Sequence, residues 1–114
     1  MRWMLDMVPD GARVLDVGAQ EGAYYPSLAE KGCEIHAIDI SEKALMSSHE
    51  RAARLGYADR FHAHQGMAED VLPRLADEGQ FFDVVILGEI LEHVRDPKLL
   101  LDLAERVGSL VLIT

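Results

Sequence analysis

The stretch VLDVGAQEG, residues 14–22, joins an apolar run to an acid, two glycines and a second acid. The run VLDV predicts a buried strand, and Gly18 directly after it allows a sharp turn because it has no Cβ. Gly22 permits close approach of a helix or a ligand four residues later. In α/β proteins, ligands bind beyond the carboxyl ends of the strands, so this turn is expected to form the floor of a ligand site.

The remainder of the chain alternates strand-like and helix-like segments. Ser41 can cap a helix that runs to residue 55 with Gly56 just past its end, and Asp96 with Pro97 can begin another that ends near residue 108. This alternation predicts βαβ units, which assemble into a parallel sheet with helices on both faces. The predicted strands are residues 14–17, 34–38, 60–65 (the weakest), 82–87 and 110–114.

Composition limits the classes of protein that the chain can represent. With 114 residues, 49% of them hydrophobic, we expect one domain covering residues 1–114. The net charge of −9 argues against nucleic acid as a partner. Cys33 is the one cysteine, and no long apolar run follows a basic start, so a cytoplasmic protein without membrane contact is expected. The first residues, MRWMLDMVP, predict a short amphipathic helix over the core.

Two acids indicate what kind of ligand the site accepts. Asp39 ends the second predicted strand, where a carboxylate can accept hydrogen bonds from a ribose diol. Asp16 lies in the first strand, where a dinucleotide would place phosphate, and its charge suits an ammonium or sulfonium instead. The G-x-G-x-x-G fingerprint is absent, which disfavours a dehydrogenase. The residues therefore favour a cationic nucleoside.

Four motifs in this order resemble those of the class I S-adenosylmethionine-dependent methyltransferases, and the resemblance covers nearly the whole chain. VLDVGAQEG resembles the first motif, D-x-G-x-G-x-G, with Gln20 in place of the middle glycine. AIDIS, GMAED and FDVVILGEILEHVRDP resemble the segments that follow the second, third and fourth strands, and Met67 stands where an aspartate is common. Four motifs in order are far more specific than any one of them.

The resemblance implies S-adenosylmethionine as the cofactor. Asp39 would hold the ribose hydroxyls, Ile40 and the GMAED loop would contact the adenine, and Leu87 and Gly88 would contact the methionine part. Glu69 could instead cap the next helix, and Ile40 and Met67 could fill core. The implied cofactor-binding residues are Asp16, Gly18, Ala19, Gln20, Gly22, Asp39, Ile40, Met67, Ala68, Glu69, Leu87 and Gly88.

The segment after the fourth strand carries the candidate catalytic residue. Glu89, Glu92 and His93 share one face of a helix. The resemblance to small-molecule members with a similar EHV motif implies that His93 lies near the acceptor and could take the proton from its hydroxyl. The same set resembles the metal ligands E-x-x-E-H of one subgroup, but those relatives add a downstream histidine, so no metal is predicted here. His62 and His64 share a strand face without a nearby acid or cysteine to complete a metal site.

The resemblance also implies a Rossmann-like, doubly wound α/β sheet with strand order 3-2-1-4-5. The family's strands 6 and 7 would be lacking, so we expect a C-terminally incomplete domain. Its fifth strand would be an apolar edge, which predicts a homodimer through that strand.

Two functions follow as hypotheses. The first is a methyltransferase that acts on a small-molecule acceptor. The second is a non-catalytic or incomplete S-adenosylmethionine-binding module, which Gln20, Met67 and the early end of the chain favour.

Overall fold

A computed structural model describes residues 2–18, 22–88, 90 and 94–114 of the chain. Helices and strands alternate through this part, as the sequence pattern predicts. In chain order they are α1 (Arg2–Met7), β1 (Arg13–Val17), α2 (Tyr25–Glu30), β2 (Glu34–Asp39), α3 (Glu42–Leu55), a 3₁₀ turn (Ala58–Arg60), β3 (Phe61–Gln65), α4 (Ala68–Asp77), β4 (Phe82–Leu87), α5 (Pro97–Val107) and β5 (Gly108–Ile113).

The five strands form one parallel sheet in the order β3-β2-β1-β4-β5, which confirms the predicted fold and strand order. β5 begins at Gly108, two residues earlier than predicted. The backbone of Gly108 is already extended directly after α5, so no turn separates this helix from the strand. Helix-to-strand connections without a loop leave no turn residues in the sequence, which is why the start of β5 was misplaced.

The predicted helix ends are confirmed by their capping bonds. The Ser41 hydroxyl accepts a hydrogen bond from the backbone N–H of Ala44, and Gly56 ends α3 in the left-handed region at φ 89°. The Asp96 carboxylate accepts a bond from the N–H of Leu99 at 3.0 Å, and Pro97 follows as the first residue of α5. These caps fix where the loops that follow β2 and β4 end.

Alternate residues of β1 supply two separate cores. Val14 packs with α1, α2 and α3 on one face of the sheet, whereas Leu15 and Val17 pack with α4 and α5 on the other. Met4 of α1 is fully buried, so the N-terminal helix covers the core as expected. None of the described helices is both long enough and apolar enough to cross a bilayer. Because helices cover both faces of the sheet, a ligand can reach it at the carboxyl ends of the strands.

Candidate functional site

A cavity of about 580 Å³ opens at the carboxyl ends of β1, β2 and β3. This volume lies within the range of small-molecule sites, roughly 300–1,000 Å³. Four segments that are far apart in the sequence, those after β1, β2, β3 and β4, meet here because parallel strands end at the same edge. Six of the predicted cofactor-binding residues line the cavity: Gly18, Asp39, Ile40, Met67, Ala68 and Glu69.

Gly18 makes the turn after β1 at a positive φ of 79°. Its N–H donates a hydrogen bond to the carbonyl of Ile38 at 2.9 Å, which ties the turn to the end of β2. A Cβ at this position would lie 3.1 Å from Cδ1 of Ile90. Backbone conformation and close packing therefore both favour glycine here.

Asp16 is buried beneath this turn and does not line the cavity. The hydroxyl of Tyr25 donates a hydrogen bond to its Oδ2 at 2.5 Å, whereas Oδ1 has no partner among the described residues. Burial raises the pKa of Asp16 to about 6, against the opposing effect of the nearby hydroxyls of Tyr24 and Tyr25. A buried carboxylate oxygen without a donor is costly, which favours the protonated form of this carboxyl.

Gly22 packs against the ring of Tyr25, the residue that bonds Asp16. Its φ is 59°, and a Cβ here would overlap the ring of Tyr25. Its carbonyl accepts a hydrogen bond from Nη1 of Arg51 on α3 at 3.1 Å. Gly22 therefore permits the close approach of helix α2, whose Tyr25 ring packs against it. Tyr25 is buried and Tyr24 is half-buried, so both pack against protein.

Asp39 lies at the end of β2, on the rim of the cavity. Its Oδ1 accepts a hydrogen bond from the N–H of Ser41 at 2.8 Å, which orients the carboxylate at the start of α3. The next residue, Ile40, is 70% exposed, and Met67 from the opposite loop is 54% exposed. Ile40 and Met67 therefore do not fill core: they present apolar surface to the cavity.

Glu69 lines the cavity and is not the N-cap residue of α4. It lies in the first turn of this helix. The residue at the N-cap is Met67, whose side chain makes no capping bond. The carboxylate of Glu69 thus lies at the positive end of a helix while remaining available to a ligand.

Two further predicted cofactor-binding residues, Leu87 and Gly88, lie away from the cavity. Leu87 is fully buried in the core between the sheet, α4 and α5. Gly88 follows β4 beside Thr114, where a Cβ would lie 3.2 Å from Oγ1. Ala19, Gln20, Glu89, Glu92 and His93 fall outside the residues that the structure describes.

Five lining residues were missed by sequence reasoning. Arg95 is the most informative, because it brings a cation to a cavity whose other charged lining residues, among those that the structure describes, are Asp39 and Glu69. Its position at the end of FDVVILGEILEHVRDP, after a buried strand, is a signal that the sequence offered. Gly66 begins the GMAED loop, at φ 144°. The full set of missed residues is Ile38, Gly66, Ile90, Val94 and Arg95.

The chain matches one protein family model. The family is described as "Methyltransferase domain", and the match covers residues 9–110. All six of the predicted residues that line the cavity fall inside the matched range.

Curated proteins similar to the chain include ubiquinone biosynthesis O-methyltransferases from several bacteria. The chain is 38% identical over 87 residues to a ubiquinone biosynthesis O-methyltransferase from Aromatoleum aromaticum, covering 76% of this chain and 35% of that protein. It is 35% identical over 101 residues to the protein of the same name from Azorhizobium caulinodans, covering 89% and 36%. The chain thus spans about a third of the length of the curated relatives it matches.

Solved structures show the same similarity. A protein from Nostoc punctiforme that was assigned as an O-methyltransferase superposes with a TM-score of 0.79 at 25% identity, over 98% of this chain and 35% of that one. The N-terminal domain of EvdMO1 with SAH bound superposes with a TM-score of 0.75 at 30% identity, over 90% of this chain and 42% of that one.

Proposed function

The chain belongs to the class I S-adenosylmethionine-dependent methyltransferases, and on that premise we propose that it binds S-adenosylmethionine and transfers the methyl group to a small-molecule acceptor. The observation that carries this proposal is the convergence of Gly18, Asp39, Ile40 and Glu69 on one cavity. These residues lie at the carboxyl ends of three different strands, and they offer the carboxylates and the apolar surface that a nucleoside requires.

Each part of the nucleoside has a matching side chain. The Asp39 carboxylate at the end of β2 is suited to accept hydrogen bonds from the two ribose hydroxyls. Ile40 and Met67 offer apolar surface to the faces of the adenine, and Glu69 can accept a bond from its exocyclic amine. This distribution supports an adenosine end bound across the mouths of β2 and β3.

Asp16 supports the placement of the amino-acid end of the cofactor. Its carboxyl is buried directly beneath the turn at Gly18, which lines the cavity, so its charge can attract a ligand bound there without touching it. A nearby ammonium group would also favour the ionised form of this carboxyl, whose pKa burial has raised to about 6. We therefore propose that Asp16 attracts the ammonium end toward β1.

The protein's contribution to methyl transfer is alignment and, for an oxygen acceptor, removal of a proton. The bound cofactor supplies a methyl group on a positively charged sulfur. The walls of the cavity hold the acceptor oxygen in line with that methyl group and exclude water. We propose that His93, which follows β4 in the sequence, accepts the hydroxyl proton. The names of the curated relatives support an oxygen acceptor.

Calorimetric titration with S-adenosylmethionine tests the binding step. Parent protein, Asp39→Asn and the matched control Asp77→Asn would each be titrated with the cofactor, its demethylated product and NAD. Asp77 is an exposed acid near the end of α4, away from the cavity. Binding of the first two ligands that is weakened only in Asp39→Asn supports the proposal. Preference for NAD, or no binding by a folded protein, contradicts it.

The second candidate function is an S-adenosylmethionine-binding module without catalysis. Gln20 in place of the middle glycine and Met67 in place of an aspartate favour this alternative. Turnover distinguishes the two functions: transfer of a radiolabelled methyl group to a panel of phenols, amines and carboxylic acids would be measured. Binding without transfer to any acceptor would support the module.

We further propose that the protein is cytoplasmic, does not bind nucleic acid and forms a homodimer through β5. The net charge of −9 supports the second point, since it would repel phosphates. Leu110 and Ile113 are partly exposed on β5, whose outer edge has unpaired backbone groups among the described strands. Light scattering tests the dimer: a monomer at all concentrations would contradict it.

A further inference from the structure

A cluster of ionisable side chains lies on the sheet face that α4 covers, toward the amino ends of the strands. Glu34 and His36 are two residues apart on β2, so their side chains lie on the same face of the sheet. His36 is paired in register with His62 of the edge strand β3. His64 follows two residues after His62 on the same face. The cluster is separate from the cavity: none of these four residues lines it.

His36 connects the members of the cluster. Its Nε2 lies 2.8 Å from Oε2 of Glu34, and its Nδ1 lies 2.9 Å from Nε2 of His64. The ring of His62 stacks on that of His36 with 4.4 Å between centroids. His36 is 4% exposed, whereas His62 is exposed at the edge of the sheet. One buried ring therefore contacts an acid and two further imidazoles.

We propose that Glu34, His36 and His62 form a binding site for a divalent transition metal such as Zn²⁺. Each residue offers one ligand atom, and these three atoms lie within 4.8 Å of one another. A zinc ion binds imidazole nitrogen and carboxylate oxygen at about 2.0–2.2 Å, so two ligands of one ion lie roughly 3–4 Å apart. Small side-chain rotations close the remaining distance.

The hydrogen bond from His36 to His64 suits the role of His36 as a ligand. Metal-binding histidines usually donate their second ring N–H to a neighbouring acceptor, which fixes the tautomer and the ring plane. With a metal on Nε2 of His36, its Nδ1–H would donate to Nε2 of His64. His62 has to turn out of its stacked position, because an imidazole binds a metal in the plane of its ring. Its exposure leaves room for that rotation.

Arg13 is the charged group nearest to the proposed ligands. Its Nε bonds Oε2 of Glu34 at 2.8 Å, the same oxygen that His36 contacts, so Oε1 carries no bond within the described part of the chain. The guanidinium is also held by the carbonyl of Phe81 and by Oε1 of Gln80. Arg13 thus keeps Glu34 ionised while leaving one oxygen for a metal. Its Nη2 also lies 3.4 Å from Nε2 of His36, so the guanidinium has to move away from this nitrogen when a metal binds, and its positive charge lowers the affinity.

Sequence analysis identified only part of this cluster, His62 and His64. We expected no acid near His62 and His64, and that expectation is wrong, because Glu34 reaches the cluster from the neighbouring strand. Ligands contributed by two parallel strands are separated by a helix in the sequence, so they form no short spacing motif.

Zinc titration of the metal-free protein tests the proposal. ZnCl₂ would be added to the chelator-treated 114-residue chain in a calorimeter, and Co²⁺ would be added in parallel to record its visible absorption. His62→Gln is the decisive variant because an exposed residue can be changed without unfolding the protein. His49→Gln is the matched control: His49 is an exposed histidine on α3, and it lies outside the cluster.

We expect one Zn²⁺ per chain, with affinity at least about tenfold weaker in His62→Gln and in Glu34→Gln. The affinity of His49→Gln should match that of the parent. Circular dichroism without zinc verifies that each variant is folded. No zinc binding by the folded parent, parent-like binding by either His62→Gln or Glu34→Gln, or loss of binding in His49→Gln would overturn the proposal.

Discussion

The hydroxyl of Tyr25 donates a hydrogen bond to the buried carboxylate of Asp16. This contact joins the first turn of α2 to β1 beneath the turn at Gly18. Gly22 makes the contact possible, since any side chain there would overlap the tyrosine ring. Asp16 and Gly22, both part of the first motif, are thus connected through Tyr25, which is not part of that motif.

Replacing Gly22 should destabilise the protein more than replacing another glycine with positive φ. Gly22→Ala introduces both backbone strain and overlap with Tyr25, whereas Gly56→Ala introduces strain alone, because open space surrounds Gly56. Strain at such a position costs about 1–3 kcal/mol. Urea unfolding of both variants measures the difference. Equal losses would show that Tyr25 moves aside without cost.

Ionisation of Asp16 should lower the stability of the cofactor-free protein. Burial raises its pKa from 3.8 to about 6, so the folded state keeps a proton that the unfolded state releases between these values. Stability contributed by this group is therefore lost as the pH rises through that window, by up to about 3 kcal/mol.

Asp16→Asn isolates this effect, since the variant shares every other titrating group with the parent. The unfolding free energy of the variant minus that of the parent should rise from about pH 4 to 6 and then stay level. Chemical denaturation across this range provides the measurement. A difference that does not vary with pH would contradict a raised pKa.

Met67 should contribute to cofactor affinity without contributing to stability. It is 54% exposed at the cavity, whereas Met46 is 56% exposed on α3, away from the cavity. Met67→Ala removes apolar surface that would cover the adenine, and burial of a methionine side chain is worth about 1.5–3 kcal/mol. We expect weaker binding of S-adenosylmethionine in Met67→Ala and unchanged binding in Met46→Ala, both by calorimetry. Equal affinities would exclude a contact with the adenine.

His93→Gln should reduce turnover with an oxygen acceptor while leaving cofactor binding intact. A general base contributes roughly 10²–10⁴-fold to the rate, and rate loss should be restored in part at high pH. His49→Gln, a change on α3, serves as the control for nonspecific effects. Parent-like kcat in His93→Gln would remove this residue from the mechanism.

The fold was predictable because its signals are local. Apolar runs, the Ser41 cap and the Asp96–Pro97 pair are each contained within a few residues, and the structure confirms them. Strand order followed from the resemblance to a known family rather than from periodicity. The start of β5 at Gly108 was missed because no turn precedes it.

The cavity was predictable in part. Asp39 and Ile40 follow a strand directly, so their place at the open edge follows from the topology. Leu87 also ends a strand, yet it is buried in the core, because alternate residues of a strand face opposite sides and the last one need not face the ligand. The partnership of Asp16 with Tyr25 depends on how α2 packs, which no local pattern encodes.

The position of β1 between β2 and β4 has a consequence for biosynthesis. The backbone N–H of Arg13 at the start of β1 bonds the Asp83 side chain in β4, 70 positions along the chain. While the ribosome produces the intervening residues, one edge of β1 has no strand to pair with. Pairing across such a separation must first overcome the entropy of closing a long loop, which slows folding. The central strand of the sheet is therefore completed late, and nascent chains expose that edge to aggregation until β4 emerges.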